Sequence, residues 1–117
     1  MILVCEDDAS LRELVCTILR EEFDVREAAD GDEAIQLARI RLPKLVVLDI
    51  MLPGRSGLEV IDDLRSNAET AGTRVIAMSA WDEVAEQALQ AGADAFLLKP
   101  FRPDELVASV RGMLGHP

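Results

Sequence analysis

Residues 2–10 read ILVCEDDAS, four apolar residues followed by the carboxylates Glu6, Asp7 and Asp8. An unbroken apolar run this short suits a strand buried on both faces, and such strands belong to parallel sheets. The acids that follow are costly neighbours. At about 5 Å in an effective dielectric near 20, each like-charged pair costs roughly 3 kcal/mol. Crowding them at the carboxyl end of a strand calls for a compensating group.

Four further runs follow: Val25 to Ala28, Leu45 to Leu48, Val75 to Met78 and Ala95 to Leu98. The first of these is broken by charge and fits an edge strand; the other three are nearly continuous and read as strands buried on both faces. Helical patterns separate them. Leu11, Leu14, Val15, Ile18 and Leu19 form one apolar stripe at i, i+3, i+4, i+7 and i+8, with Ser10 and Glu13 spaced as a capping box. Asp30 and Glu33 suggest a second helix start that carries Ala34, Leu37 and Ala38 inward. Leu58, Ile61 and Leu64 mark a third helix. Leu106, Val110 and Leu114 mark the last, with Pro103 in its first turn and a tail of Gly115 to Pro117 that has little to pack. The fourth helix, Asp82 to Ala91, ends at Gly92 and is weakly anchored by Val84, Ala88 and Leu89, so it can shift at low cost. Five alternating β–α units with crossovers of this length require parallel strands, and right-handed crossovers place helices on both faces. The expected fold is a doubly wound α/β domain spanning residues 1–117.

At 117 residues the chain is long enough to bury one core without disulfides. Half of it is hydrophobic and 29% is charged, the composition of a folded protein. Twenty-two acids against 12 bases give a net charge of −10, which repels nucleic acid and anionic membrane. The expected direct ligands are cations or protein surfaces, with no direct nucleic acid binding and no membrane. Cys5 and Cys16 lack zinc-like spacing and read as small buried apolar groups. No stretch resembles a signal peptide or a transmembrane helix, so the protein reads as soluble and cytoplasmic.

Ligands of open parallel sheets bind beyond the carboxyl ends of the strands. Those ends carry Glu6, Asp7 and Asp8, then Asp49, then Ser79, then Lys99 before Pro100. Each has an ordinary reading: solvated surface acids, a turn-forming Asp49, a helix-capping Ser79, a snorkelling Lys99. Their joint placement at successive strand ends favours a site. Clustered carboxylates suit Mg2+, which one or two of them hold together with waters and phosphoryl oxygens. An aspartate is a competent nucleophile toward phosphorus, and Mg2+, Lys99 and the Ser79 hydroxyl can each take one equatorial oxygen.

ILVCEDD, LVVLDIMLPGRSG, VIAMSA and FLLKPF, in this order over the whole chain, resemble the motifs of the receiver domains of two-component response regulators. The resemblance implies a (βα)5 flavodoxin-like fold with strand order 2-1-3-4-5. It implies that Asp49 is the phosphoacceptor, that Glu6, Asp7, Asp49 and the Met51 backbone carbonyl hold Mg2+ (with Mn2+ an acceptable substitute), and that Lys99 pairs with the phosphoryl group. Ser79 and Phe96 match the switch positions, and Lys99–Pro100 matches a cis peptide bond. Asp8 is left to start or cap the first helix. The implied partners are a sensor histidine kinase or phosphotransfer protein and a downstream effector. The response runs through the fourth helix, fifth strand and fifth helix, with a phosphorylation-linked homodimer compatible. The only catalysis implied is that of its own phosphorylation and dephosphorylation.

The sequence departs from the family pattern modestly. Glu6 stands where Asp is commoner and Phe96 where Tyr is frequent. Met51 and Trp81, at the positions that tune dephosphorylation in the family, cannot orient a hydrolytic water by a strong hydrogen bond. Trp81 is expected near the acidic site. A flavin-mononucleotide binder would need a phosphate-cradling loop where this chain has three acids. A phosphohydrolase of the haloacid dehalogenase type would carry a second acid at Met51. The remaining alternative is a pseudo-receiver, a phosphorylation-independent interaction module, against which all the expected site side chains are present. A chain of this span fits either a stand-alone regulator or a receiver cut from a longer one.

Overall fold

A computed structural model describes residues 1–115 of the protein. Five parallel strands, β1 (Ile2–Cys5), β2 (Val25–Ala28), β3 (Leu45–Asp49), β4 (Arg74–Ser79) and β5 (Ala95–Leu98), lie in the order β2-β1-β3-β4-β5. Five helices connect or follow them: α1 (Ala9–Arg20), α2 (Gly31–Arg41), α3 (Gly57–Ser66), α4 (Ala85–Ala91) and α5 (Pro103–Leu114). This is the doubly wound architecture read from the sequence, in the strand order that the family resemblance implies. The Gly115 end of the tail caps α5; the remainder of the tail lies outside the described residues. Among the described residues no helix is long and apolar enough to cross a membrane.

Strand alternation sorts the core into two clusters. Leu3, Cys5, Val46, Leu48, Val75 and Ala77 face α2, α3 and α4, where they meet Ala34, Ile35, Ile61, Leu64 and Ala88. Ile2, Val4, Leu45, Val47, Ile76 and Met78 face α1 and α5 and meet Val15, Cys16, Leu19, Leu106 and Val110. Because neighbouring residues of one strand point to opposite clusters, β1 and most of β3 and β4 are apolar without interruption. Burial pushes the thiols of Cys5 and Cys16 up, to about 12 and about 11, so both remain protonated and packed.

The structure corrects several local expectations. β5 lies at the sheet edge, as the expected order has it, but it is only half buried where its apolar run reads as a strand buried on both faces; composition alone does not reveal a missing neighbour. Asp8, as the alternative reading held, caps α1 by accepting the Leu11 N–H at 3.0 Å, so the Ser10–Glu13 capping box does not form. Leu14 is 54% exposed, in an apolar groove shared with Leu11, Ile18, Phe101 and Pro103, while Cys16 takes a core position. The expected helix from Asp82 to Ala91 is a 3-10 turn, Asp82–Val84, followed by a seven-residue α4. Of its expected anchors, Ala88 is buried and Val84 packs at the core edge, but Leu89 faces solvent at 48% exposure. A single fully buried residue is a slender hold for a helix.

Leu42 closes α2 in the left-handed region, at φ 48° and ψ 61°. That conformation costs a side-chain-bearing residue about 1 kcal/mol or more, and Leu42 is half exposed. Leu42→Gly is therefore expected to stabilise the fold by about 0.5 kcal/mol after the greater freedom of glycine in the unfolded chain is offset. Thermal unfolding checks this: a rise in Tm of about 2 °C is expected, and an unchanged or lower Tm contradicts it.

Candidate functional site

The carboxyl ends of β1, β3 and β5 bring four charged side chains together. The Lys99 ammonium donates to Glu6 Oε1 at 2.6 Å and to Asp49 Oδ2 at 2.8 Å. Glu6 and Asp49 are buried, at 1% and 4% exposure, whereas Asp7 is exposed. Carboxylate oxygens of Glu6, Asp7 and Asp49 all lie within 4.8 Å of one another. The repulsion anticipated in the opening stretch is thus answered in part by a lysine 93 residues away in sequence.

Each side chain is held by its local backbone. Asp49 ends β3, and its Oδ1 accepts the N–H of Met51 at 2.9 Å, closing a turn of the kind short acids favour. Behind it, Gly57 at the start of α3 donates its N–H to the Ile50 carbonyl at 2.8 Å. Glu6 Oε2 accepts the Asp8 N–H at 3.2 Å, tying the acidic loop to the first turn of α1. Burial pushes the Glu6 carboxyl up to about 7, and the adjacent Asp49 adds to this against the pull of Lys99. Burial disfavours the charged form of Lys99, but its hydrogen bonds to Asp49 and Glu6 outweigh this and its pKa is raised. The lysine is therefore held as an ammonium.

The side chains of the other expected residues sit around this cluster without hydrogen bonds to its charged groups. Ser79 is fully buried at the end of β4; its Oγ accepts the Trp81 N–H at 3.0 Å, and its carbonyl accepts the Lys99 N–H at 2.8 Å. Phe96 pairs with Ala77 in the sheet and is partly buried against the cluster beneath α4. Met51 and Trp81, 57% and 58% exposed, lie on the loops after β3 and β4. The Lys99–Pro100 peptide is cis. Sequence reasoning passed over Arg12, whose Nη1 donates to the Glu6 carbonyl at 2.8 Å. Its signal was a cation one turn beyond the acids, easily taken for part of a solvated helix face.

Hard carboxylate oxygens, two of them from buried residues, converge against a single ammonium and leave negative charge in excess. That donor set fits a hard divalent cation such as Mg2+ and offers no soft ligand.

The chain matches the family described as the response regulator receiver domain over residues 2–111. It is 41% identical over 116 residues to the DNA-binding response regulator MtrA of Mycobacterium leprae, covering 97% of this chain and 50% of that protein. It is 39% identical over 116 residues to the phosphate regulon transcriptional regulatory protein PhoB of Escherichia coli, covering 97% and 51%. The chain thus spans about half the length of these relatives. The solved receiver domain of NtrX from Brucella abortus superposes with a TM-score of 0.90 at 33% identity, covering all of both chains. The receiver domain of a Pseudomonas aeruginosa sensor histidine kinase, solved with a magnesium ion coordinated in its active-site cleft, gives a TM-score of 0.90 at 27% identity, covering 97% and 96%.

One expectation falls here. Net charge suggested no direct nucleic acid binding, yet MtrA is named as a DNA-binding regulator. The −10 charge describes these 117 residues alone, so it excludes nothing about a protein twice as long. In sequence and in fold, the chain belongs to the response regulator receiver domain family, whose members serve two-component signalling.

Proposed function

We propose that Asp49 accepts a phosphoryl group from the phosphohistidine of a sensor histidine kinase or phosphotransfer protein, and that residues 1–117 act as one receiver domain in the cytoplasm. The observation that carries this reading is the buried Glu6–Lys99–Asp49 bridge beside Asp7 at the carboxyl edge of the sheet. An Asp49 carboxylate oxygen attacks phosphorus, the P–N bond breaks, and the histidine nitrogen keeps its electron pair. Both Asp49 oxygens already accept hydrogen bonds, from Met51 N–H and from Lys99, so the nucleophile is oriented before the donor arrives. Lys99 then follows the negative charge onto a phosphoryl oxygen.

Glu6, Asp7, Asp49 and the Met51 carbonyl would hold Mg2+, with Mn2+ able to replace it, and the ion when bound neutralises phosphoryl charge. The Ser79 hydroxyl donates to a phosphoryl oxygen, which draws its Oγ away from the Trp81 N–H and alters the loop before α4, and Phe96 repacks beneath α4. The lightly held α4, with the half-buried β5 and α5, carries the change to an effector or a second copy of the chain. By similarity to MtrA, the output runs to DNA.

Incubation with a small phosphodonor and Mg2+ tests this. Intact-mass measurement is expected to show one added phosphoryl group, and none when chelator replaces the Mg2+ during the incubation. A chain that never gains the increment is a pseudo-receiver.

Met51 and Trp81 bear on lifetime. Neither side chain offers a strong acceptor to orient a hydrolytic water, so the phosphoryl group is expected to persist for minutes or longer after the donor is removed. Following the phosphorylated mass over time checks this; complete loss within seconds contradicts it.

A further inference from the structure

We propose that Arg12 is a positioning residue for the acidic loop, setting the direction of Asp7 and through it the affinity for the divalent cation. This rests on the metal reading above and adds a residue to it. The β1–β2 ladder runs as far as Glu6, whose N–H donates to the Ala28 carbonyl at 3.1 Å. A continuing parallel ladder would next bring the N–H of residue 30 to the Glu6 carbonyl. Asp30 has instead left the sheet to cap α2, its side chain accepting the Glu33 N–H at 2.8 Å. The orphaned carbonyl is taken by Arg12 Nη1 at 2.8 Å.

The guanidinium is itself fixed. Its Nε donates to Glu27 Oε1 on β2 at 3.1 Å, and the side chain is only 20% exposed. It stands one turn into the helix that Asp8 caps, the Arg12 N–H reaching the Asp8 carbonyl at 2.9 Å. Arg12 therefore ties the end of β1 to β2 across the gap where the ladder stops.

The consequence falls on Asp7. Glu6 and Asp49 are oriented through their own carboxylates by Lys99. The Asp7 carboxylate accepts no hydrogen bond among the described residues and is exposed, so its place depends on the backbone that carries it. Holding the Glu6 carbonyl holds the planar Glu6–Asp7 peptide, and with it the starting direction of the Asp7 side chain.

Calorimetric titration with Mg2+ tests the assignment on the parent, Arg12→Ala, Asp7→Asn and the double variant, each checked for folding by thermal unfolding in chelator. Outer contacts of this kind are worth roughly tenfold or more in metal affinity. Arg12→Ala is expected to weaken binding about tenfold, and to change it less than about twofold when Asp7 is already Asn, because the two act in series. If Arg12→Ala does not fold, Arg12→Lys, which keeps the charge but cannot bridge both partners, takes its place with the same expected pattern. Unchanged affinity in the arginine variant, or the same loss in the Asp7→Asn background, overturns the Arg12 assignment and leaves the metal reading standing. A parent that binds no Mg2+ overturns both.

Discussion

Lys99→Ala is expected to lower stability in chelator by about 3 kcal/mol, and added Mg2+ is expected to restore most of it. Lys99 donates to two buried carboxylates at 2.6 and 2.8 Å, and removing it leaves Glu6 and Asp49 facing each other without a counter-charge. Breaking a buried ion pair from one side costs roughly this much, because the remaining charge stays desolvated. Glu6, with its carboxyl already pushed up to about 7, relieves part of the strain by taking a proton, which keeps the loss from being larger. A divalent cation is a substitute counter-charge at the same oxygens. Thermal unfolding with and without Mg2+ reads both effects. Tm should fall by about 10 °C in chelator, and Mg2+ should raise it more in the variant than in the parent. Equal Mg2+ shifts in the two proteins would contradict the view that the ammonium and the cation neutralise the same carboxylates.

Gly57→Ala is the second large effect, and it comes from crowding. A Cβ at residue 57 would meet the Asp49 carbonyl oxygen at 2.5 Å and the Ile50 Cα at 2.6 Å, both backbone atoms of the strand end that presents Asp49. Neither can swing aside as the tip of a long side chain would, so α3 or the β3 end must move. Overpacking of this kind costs about 3 kcal/mol, well above the fraction of a kcal/mol that alanine contributes through helix propensity. A fall in Tm of about 10 °C is expected, together with slower phosphorylation because Asp49 shifts with its backbone. Gly72→Ala is the control: nothing lies within 4 Å of its Cβ and its φ is not positive, so Tm should stay within about 2 °C. Equal stability of the two alanine variants would mean that α3 is not seated against the strand end as closely as described.

The fold was legible because the inner strands of a doubly wound sheet are apolar on both faces and the helices between them carry apolar stripes. Legibility ended where context decides. β5 is as apolar in sequence as β3, and nothing local reveals that it has a neighbour on one side only. Leu14 and Leu89 sit at helical spacing with core residues yet face outward, since a stripe is defined only to about one residue and the packing partner selects its edge. Ser10 and Asp8 both offered caps to α1, and the tether from the Asp8 N–H to Glu6 favours the earlier start.

The candidate site was more legible than the local details, for a topological reason. Parallel strands place all their carboxyl ends on one edge, so Glu6, Asp7, Asp49 and Lys99 could be grouped without knowing a single distance. Distances then separate what spacing cannot. Lys99 bridges Glu6 and Asp49, Ser79 is engaged with the Trp81 N–H, and Asp7 lies beside the bridge without joining it. Arg12 escaped the sequence reading because its importance depends on a ladder that stops one residue short, a fact of register that the sequence does not display.

A phosphoryl group on Asp49, as proposed, is an acyl phosphate. An acyl phosphate is reduced by borohydride to an alcohol, which converts a phosphorylated aspartate into homoserine and leaves a free carboxylate untouched. After phosphorylation with a small donor and Mg2+, reduction and peptide sequencing by mass spectrometry, homoserine is predicted at position 49 and at no other acid. Homoserine at Glu6, Asp7 or Asp8, or an unmodified residue 49 in a protein that has gained the phosphoryl mass, would contradict the account.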